Sequence, residues 1–164
     1  MMTSRILVAV AVLIGLGAAL PATAAAAPAA KVLGVRLAPD TAGLTPQLAI
    51  AYTVARSDAQ RAGVGMHITS GKRSWAEQTR MWRDGVRRYG SAAEASRWVL
   101  PPSRSTHVTG RAIDVGARRG AAWLERYGFR YGLCRTFDNE WWHFELTTMP
   151  GARCGPRVPD ASRR

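Results

Sequence analysis

The sequence predicts an α+β fold. Three observations carry this expectation: capped helical segments, short apolar runs of strand length, and no regular βαβ alternation between them. After removal of a leader the chain is long enough for one domain with one modest core, and no internal repeat is visible.

The elements follow in order. Arg5 and the apolar run Ile6–Leu20, then Pro21 and the small residues Ala22–Ala27, have the layout of a secretory signal peptide, read as residues 1–27. The competing reading is an uncleaved anchor, but the apolar run is short for a membrane span. Residues 28–44 read as a linker with one strand near Val32–Leu37. Leu48, Tyr52, Ala55, Ala59 and Ala62 recur at helical spacing, and Gly63 and Gly65 end that helix. Val64–Thr69 reads as a strand containing His67, which is assigned a structural part.

Ser74 and Glu77 form a capping box, so a helix starts there. Trp75, Thr79, Trp82, Val86 and Tyr89 share one of its faces, and Arg80, Arg83 and Arg87 another. Ser91 and Glu94 open a shorter helix toward Trp98. Pro101-Pro102 breaks the pattern, and a polar loop runs to Gly110. Ala112–Val115 is an apolar strand interrupted by Asp114. A helix over 120–127 stops at Gly128, and Phe129–Leu133 and Trp141–Leu146 read as further strands. The domain is placed at 45–150. The remainder, 151–164, reads as a frayed tail tied back through Cys154.

The formal net charge is +12, and loss of residues 1–30 would remove Arg5 and no acid. Export argues against nucleic acid as the partner and leaves anionic wall polymers as a candidate. No segment after the leader is apolar enough to cross a membrane, so a soluble domain is expected, and it is read as a monomer. Cys134 and Cys154, an even pair in an exported chain, are expected to form a disulfide. Thiolate ligation of a metal is the weaker alternative, because no CxxC is present.

The chemistry concentrates in three segments: Ser105–Asp114 with His107, Glu140–His143, and Ser70–Ser74 followed by Gln78. A catalytic zinc needs about three protein ligands and an open position. His107, Asp114 and His143 offer suitable donors, and a turn at Gly110 is expected to bring the first two together. A carboxylate inside an apolar strand is costly unless a metal, a cation or several donors satisfy it, so Asp114 demands a partner. Glu140 is placed to move a proton. Arg73 suits a substrate carboxylate or a developing oxyanion.

Ser-x-His-x-x-Gly-x-Ala-x-Asp over 105–114, with Glu-x-x-His at 140–143, resembles the signature of the LAS metallopeptidases. It resembles in particular that of the VanY-type D-alanyl-D-alanine carboxypeptidases. Ser70-Gly71-Lys72-Arg73-Ser74 resembles the same family's substrate-side motif. The resemblance covers about Leu48–Leu146. It implies one zinc held by His107, Asp114 and His143, with Glu140 as the base. It places Arg73 on the substrate side, with Ser105 and Gln78 nearby. It implies a small central antiparallel sheet with flanking helices, and peptidoglycan stem peptides as substrates of a secreted, wall-associated hydrolase. Lys72 stands where the family has an aromatic residue, and Arg111 where it often has an aliphatic one, which leaves substrate preference open. An endopeptidase or dipeptidase of the same fold, and a non-catalytic wall-binding module, remain as alternatives.

Overall fold

Side-chain alternation along Ala112–Gly116 organises the molecule. The computed structural model describes residues 31, 32 and 34–164, so the leader expected over 1–27 lies outside the described residues. The elements are β1 (Lys31–Val32), β2 (Val35–Arg36), α1 (Pro46–Arg61), β3 (His67–Ser70), α2 (Trp75–Tyr89), α3 (Ala92–Ala95), β4 (Ala112–Gly116), α4 (Arg118–Tyr127), β5 (Leu133–Arg135) and β6 (His143–Leu146). Short 3-10 turns occupy Gly128–Tyr131 and Ala161–Arg163.

The main sheet has the order β3-β4-β6-β5, and each neighbouring pair is antiparallel. This is the α+β arrangement with a small antiparallel sheet that the sequence predicts. Every residue of β4 is buried. With a period of two, Ile113 and Val115 face one side of the sheet while Ala112 and Asp114 face the other. The apolar side joins Phe144 and Leu133 and packs on Leu48, Tyr52, Ala55 and Ala59 of α1 and on Ala121 and Leu124 of α4. Each fully buried large apolar side chain here contributes about 1.5–3 kcal/mol. The core thus clamps one sheet face to two helices and leaves the other face for polar groups.

Pro46 stands in the first turn of α1, where its missing N–H costs nothing. Ser74 accepts from the Glu77 N–H at the start of α2, and Gly90 ends that helix in the left-handed region. Ser91 caps α3 in the same way, accepting from the Glu94 N–H.

Three expectations change, and the structure shows which side of α2 is buried. Residues 28–44 are not simply a linker: β1 and β2 pair, and Ala38 and Thr41 are buried. Asp40 fixes this segment to the core, accepting from Tyr52 Oη at 3.0 Å and from the Ile68 N–H at 2.8 Å. Helix α2 turns Gln78 and Gly85 inward, and Trp75 is 60% exposed. Gly85 allows this close approach, since a Cβ there would meet Val99 at 2.5 Å. Phe129–Tyr131 forms a 3-10 turn, with the strand starting at Leu133; Trp141 and Trp142 form a turn, with β6 starting at His143. Finally, the tail is folded. Cys154 bonds to Cys134, and Val158 pairs with Phe137. Ala161 is buried with Leu100 and Phe137 in a second small cluster.

Candidate metal centre

Strands β4 and β6 place Asp114 directly opposite His143. The third member arrives on the 101–110 loop, whose backbone is pinned at His107 and at Gly110. The Arg73 N–H donates to the His107 carbonyl at 3.1 Å, and the Thr45 N–H donates to the Gly110 carbonyl at 2.9 Å. Gly110 turns the chain with φ of 68°, as the expected turn requires, and a Cβ there would lie 2.4 Å from the Gly43 carbonyl oxygen.

His107, Asp114 and His143 are all buried, and their donor atoms form a triangle. His107 Nε2 lies 3.3 Å from Asp114 Oδ1, His143 Nδ1 lies 3.1 Å from the same oxygen, and the two nitrogens are 3.3 Å apart. A tetrahedral ion with bonds of about 2.0–2.1 Å separates its ligands by about 3.3 Å. The three sides therefore match one face of a zinc coordination tetrahedron.

The far nitrogens fix the orientation of both rings. His107 Nδ1 is 2.8 Å from the Gly71 carbonyl, which only accepts, so Nδ1 carries the hydrogen. His143 Nε2 is 2.8 Å from Glu145 Oε1 and donates to it. Each ring so presents its other nitrogen to the triangle, the arrangement by which outer partners orient metal-binding histidines. Glu145 was not singled out among the candidate residues, although its position gave a signal. It lies two residues after His143 on the same strand face, and a buried carboxylate there needs donors.

The charges agree with this layout. Burial works to raise the Asp114 carboxyl, but hydrogen bonds and charge from His107 and His143 outweigh it and hold it below the ordinary range. Burial would lower His143, yet hydrogen bonds to Asp114 and Glu145 push it up to about 9 in the metal-free chain. Burial also works against Glu145, and hydrogen bonds from His143 and Arg164 bring it down to about 2. Glu140 goes the opposite way. Desolvation, aided by the charges of Asp114 and Glu145, pushes it up to about 7 against the pull of His143 and Arg73. Its Oε2 is 3.6 Å from His143 Nδ1.

A cavity of about 230 Å³ opens beside the triangle, lined among others by Arg73, Gln78, Ser105, Glu140, Trp142 and Arg164. Arg73 is held by three side chains of the protein itself. Its Nη2 donates to Asp114 Oδ2 at 2.6 Å, Nε to Ser70 Oγ at 2.7 Å, and Nη1 to Gln78 Oε1 at 3.2 Å. Gln78, 1% exposed, also donates from Nε2 to the Leu100 carbonyl at 2.8 Å. It acts here as a brace for Arg73. Lys72 leans on Gly43 and donates from Nζ to the Val108 carbonyl, tying it to the loop that carries His107. Arg111 is exposed beside a separate surface hollow. His67 is exposed on β3 and lies outside the metal-binding group.

The family model for VanY D-alanyl-D-alanine carboxypeptidases matches residues 41–147. The chain belongs to this family. A D-alanyl-D-alanine carboxypeptidase of Enterococcus faecalis is 26% identical over 134 residues, 66% of this chain, which spans about half (48%) of that relative's length. The vancomycin-resistance D,D-pentapeptidase VanY from the VanB-type cassette, solved with Zn(II), superposes with a TM-score of 0.60 at 22% identity. That match covers 65% of this chain and 74% of the other, and it shows the shared fold. The L,D-carboxypeptidase DacB of Streptococcus pneumoniae is similar at 28% identity and a TM-score of 0.51, over 65% of this chain and 68% of its own. The matched region contains β4, β6 and the loop that carry Asp114, His143 and His107.

Proposed function

We propose that this chain is a secreted, zinc-dependent D-alanyl-D-alanine carboxypeptidase acting on peptidoglycan stem peptides. The observation that carries the reading is the buried His107–Asp114–His143 triangle, with sides fitting a tetrahedral ion and a carboxylate, Glu140, at its edge. One ion per chain follows from one such group among the described residues. Bound there, zinc acts as a Lewis acid that polarises a carbonyl and brings the ionisation of water toward neutral pH.

The remaining work falls to side chains. Glu140 takes the proton of the attacking water and hands it to the leaving amine, so that hydroxyl ends on the carbonyl carbon and hydrogen on the D-alanine nitrogen. Arg73 adds positive charge to the cavity wall while its bond to Asp114 leaves Oδ1 facing the histidines. Ser105 lines the same cavity and is assigned to the substrate side with Arg73, and Gln78 serves by holding that arginine.

The Arg5–Ala27 leader pattern supports export, and no helix among the described residues is long and apolar enough to cross a membrane. Action at the wall as a monomer, with anionic wall polymers as secondary contacts for the net positive charge, belongs to the same reading.

The test is mass spectrometry of synthetic stem peptides after incubation with the zinc-loaded chain and with His107→Ala. Loss of one D-alanine from a pentapeptide, absent in the variant, is the expected result. Loss only from a tetrapeptide makes the enzyme an L,D-carboxypeptidase, and loss of a dipeptide or internal cleavage makes it a different peptidase. No cleavage by folded, zinc-loaded protein overturns the assignment.

A further inference from the structure

The tail beyond residue 147 lies outside the family match, yet it reaches the metal centre. Residues 136–139, which lead into Glu140, are zipped to it. The Val158 N–H donates to the Thr136 carbonyl at 3.1 Å, the Asp138 N–H to Val158 at 2.9 Å, and the Asn139 N–H to Pro159 at 3.2 Å. Asp160 is buried, accepts from Arg97 Nε at 3.1 Å, and caps the 3-10 turn by accepting from the Ser162 N–H at 3.0 Å. This delivers Arg164 to the back of the ligand set. Its Nη2 donates to Glu145 Oε2 at 2.6 Å and its Nη1 to Thr106 Oγ1 at 3.1 Å. Thr106 in turn donates to Glu145 Oε1 at 3.1 Å, the oxygen that also receives the His143 Nε2 hydrogen. The guanidinium carbon lies 5.3 Å from the Phe137 ring centre, and that ring packs 5.0 Å from the His143 ring centre.

We propose that Arg164 is a positioning residue for the metal ligands, and that the segment 156–164 is the strap that holds it. The inference rests on the metal-site reading above. Two ligands sit on different elements: His107 follows Thr106 in a loop, and His143 stands two residues before Glu145 on β6. Arg164 bridges Thr106 and Glu145, so it joins those two elements behind the triangle. It also supplies the opposite charge that the buried Glu145 carboxylate needs to serve as acceptor for His143. Loss of Arg164 leaves Glu145 free to turn from His143 toward solvent, and the His143 ring loses its fixed rotation.

The experiment is a zinc titration against a competing chelator on the full chain, with Arg164→Ala, Arg164→Lys, Glu145→Gln and the Arg164→Ala/Glu145→Gln pair. Metal-free melting temperatures and the absorption spectra of the cobalt-substituted proteins are read beside it. Glu145→Gln is expected to weaken zinc binding about 10–100-fold, the range for outer partners of metal-binding histidines. Arg164→Ala is expected to weaken it about 3–10-fold, being one bond further out, with a changed cobalt spectrum. Lysine, which keeps the charge but not the fork, restores part of the loss. The double variant is no weaker than Glu145→Gln alone, because Arg164 acts through Glu145. Arg164→Ala with wild-type zinc affinity and a lowered metal-free melting temperature shows a merely structural tail and overturns the proposal. Independent, multiplying losses in the double variant also overturn it. A folded wild type that takes no zinc sinks the metal-site reading, and the strap with it.

Discussion

Replacing Glu140 by glutamine is expected to make the metal-free protein more stable while nearly abolishing turnover. Glu140 is 6% exposed, and burial lifts its carboxyl from an ordinary 4.5 to about 7. A folded value above the unfolded one means that the folded chain holds more protons between about pH 4.5 and 7. Stability therefore falls as pH rises through that window, and above 7 the whole cost of the buried charge is present. At 1.36 kcal/mol per decade that cost is about 3 kcal/mol. Glutamine has the same shape and no charge to bury. The variant should then melt about 9 °C above wild type at pH 8, taking roughly 3 °C per kcal/mol for a chain of this size, and match it near pH 4.5. Turnover should fall about 10²–10⁴-fold through loss of the proton carrier. Differential scanning fluorimetry of metal-free samples across pH, with D-alanine release from zinc-loaded ones, reads both quantities. Equal melting temperatures at pH 8 would refute the buried-charge argument, and undiminished turnover would remove Glu140 from the mechanism.

Three further outcomes are expected. His143 is raised to about 9 in the metal-free chain, so its contribution is complete below about 6.5 and is lost as pH climbs through 9. Zinc must displace the same proton, so the rise in melting temperature on adding zinc should be larger at pH 9 than at pH 6, and a smaller rise at pH 9 counts against this account. Gly110→Ala should cost about 2 kcal/mol or more in urea unfolding and weaken zinc binding, because a Cβ at φ of 68° meets the Gly43 carbonyl oxygen. The Cys134→Ser/Cys154→Ser pair should lose about 3 kcal/mol, and wild type in reductant should match it.

The sequence was most informative where burial makes a residue type costly. Asp114 in an apolar strand demanded partners, and the structure supplies His107, His143 and Arg73. The Ser74 and Ser91 caps were legible because the motif is local and uses its own backbone. The inward face of α2 was not, because packing selects it: Gly85 admits Val99, just beyond α3, and a glycine announces no buried face. The Phe129–Leu133 run misled for a similar reason, since a short apolar run suits a 3-10 turn as well as a strand. The tail was least legible. Its Gly, Pro and Arg content resembles a frayed end, and its order comes from long-range bonds to Phe137, Arg97 and Glu145 that no local pattern announces.

The sheet explains why a site this polar can sit inside so small a domain. Antiparallel pairing of β4 with β6 sets Asp114 against His143 and Ile113 against Phe144 in successive rungs. Adjacent rungs point to opposite faces, so the two residues anchoring the core and the two facing the cavity share one rigid ladder. A one-residue slip would carry His143 into the apolar core and Phe144 into the cavity, and each error would be costly. The packing of Ile113 and Phe144 on α1 and α4 therefore fixes the spacing of Asp114 and His143 as well as the fold. Only His107 comes from outside the ladder. That makes the loop pins at Arg73 and Thr45, and the bridge at Thr106, the places where the triangle is most open to adjustment.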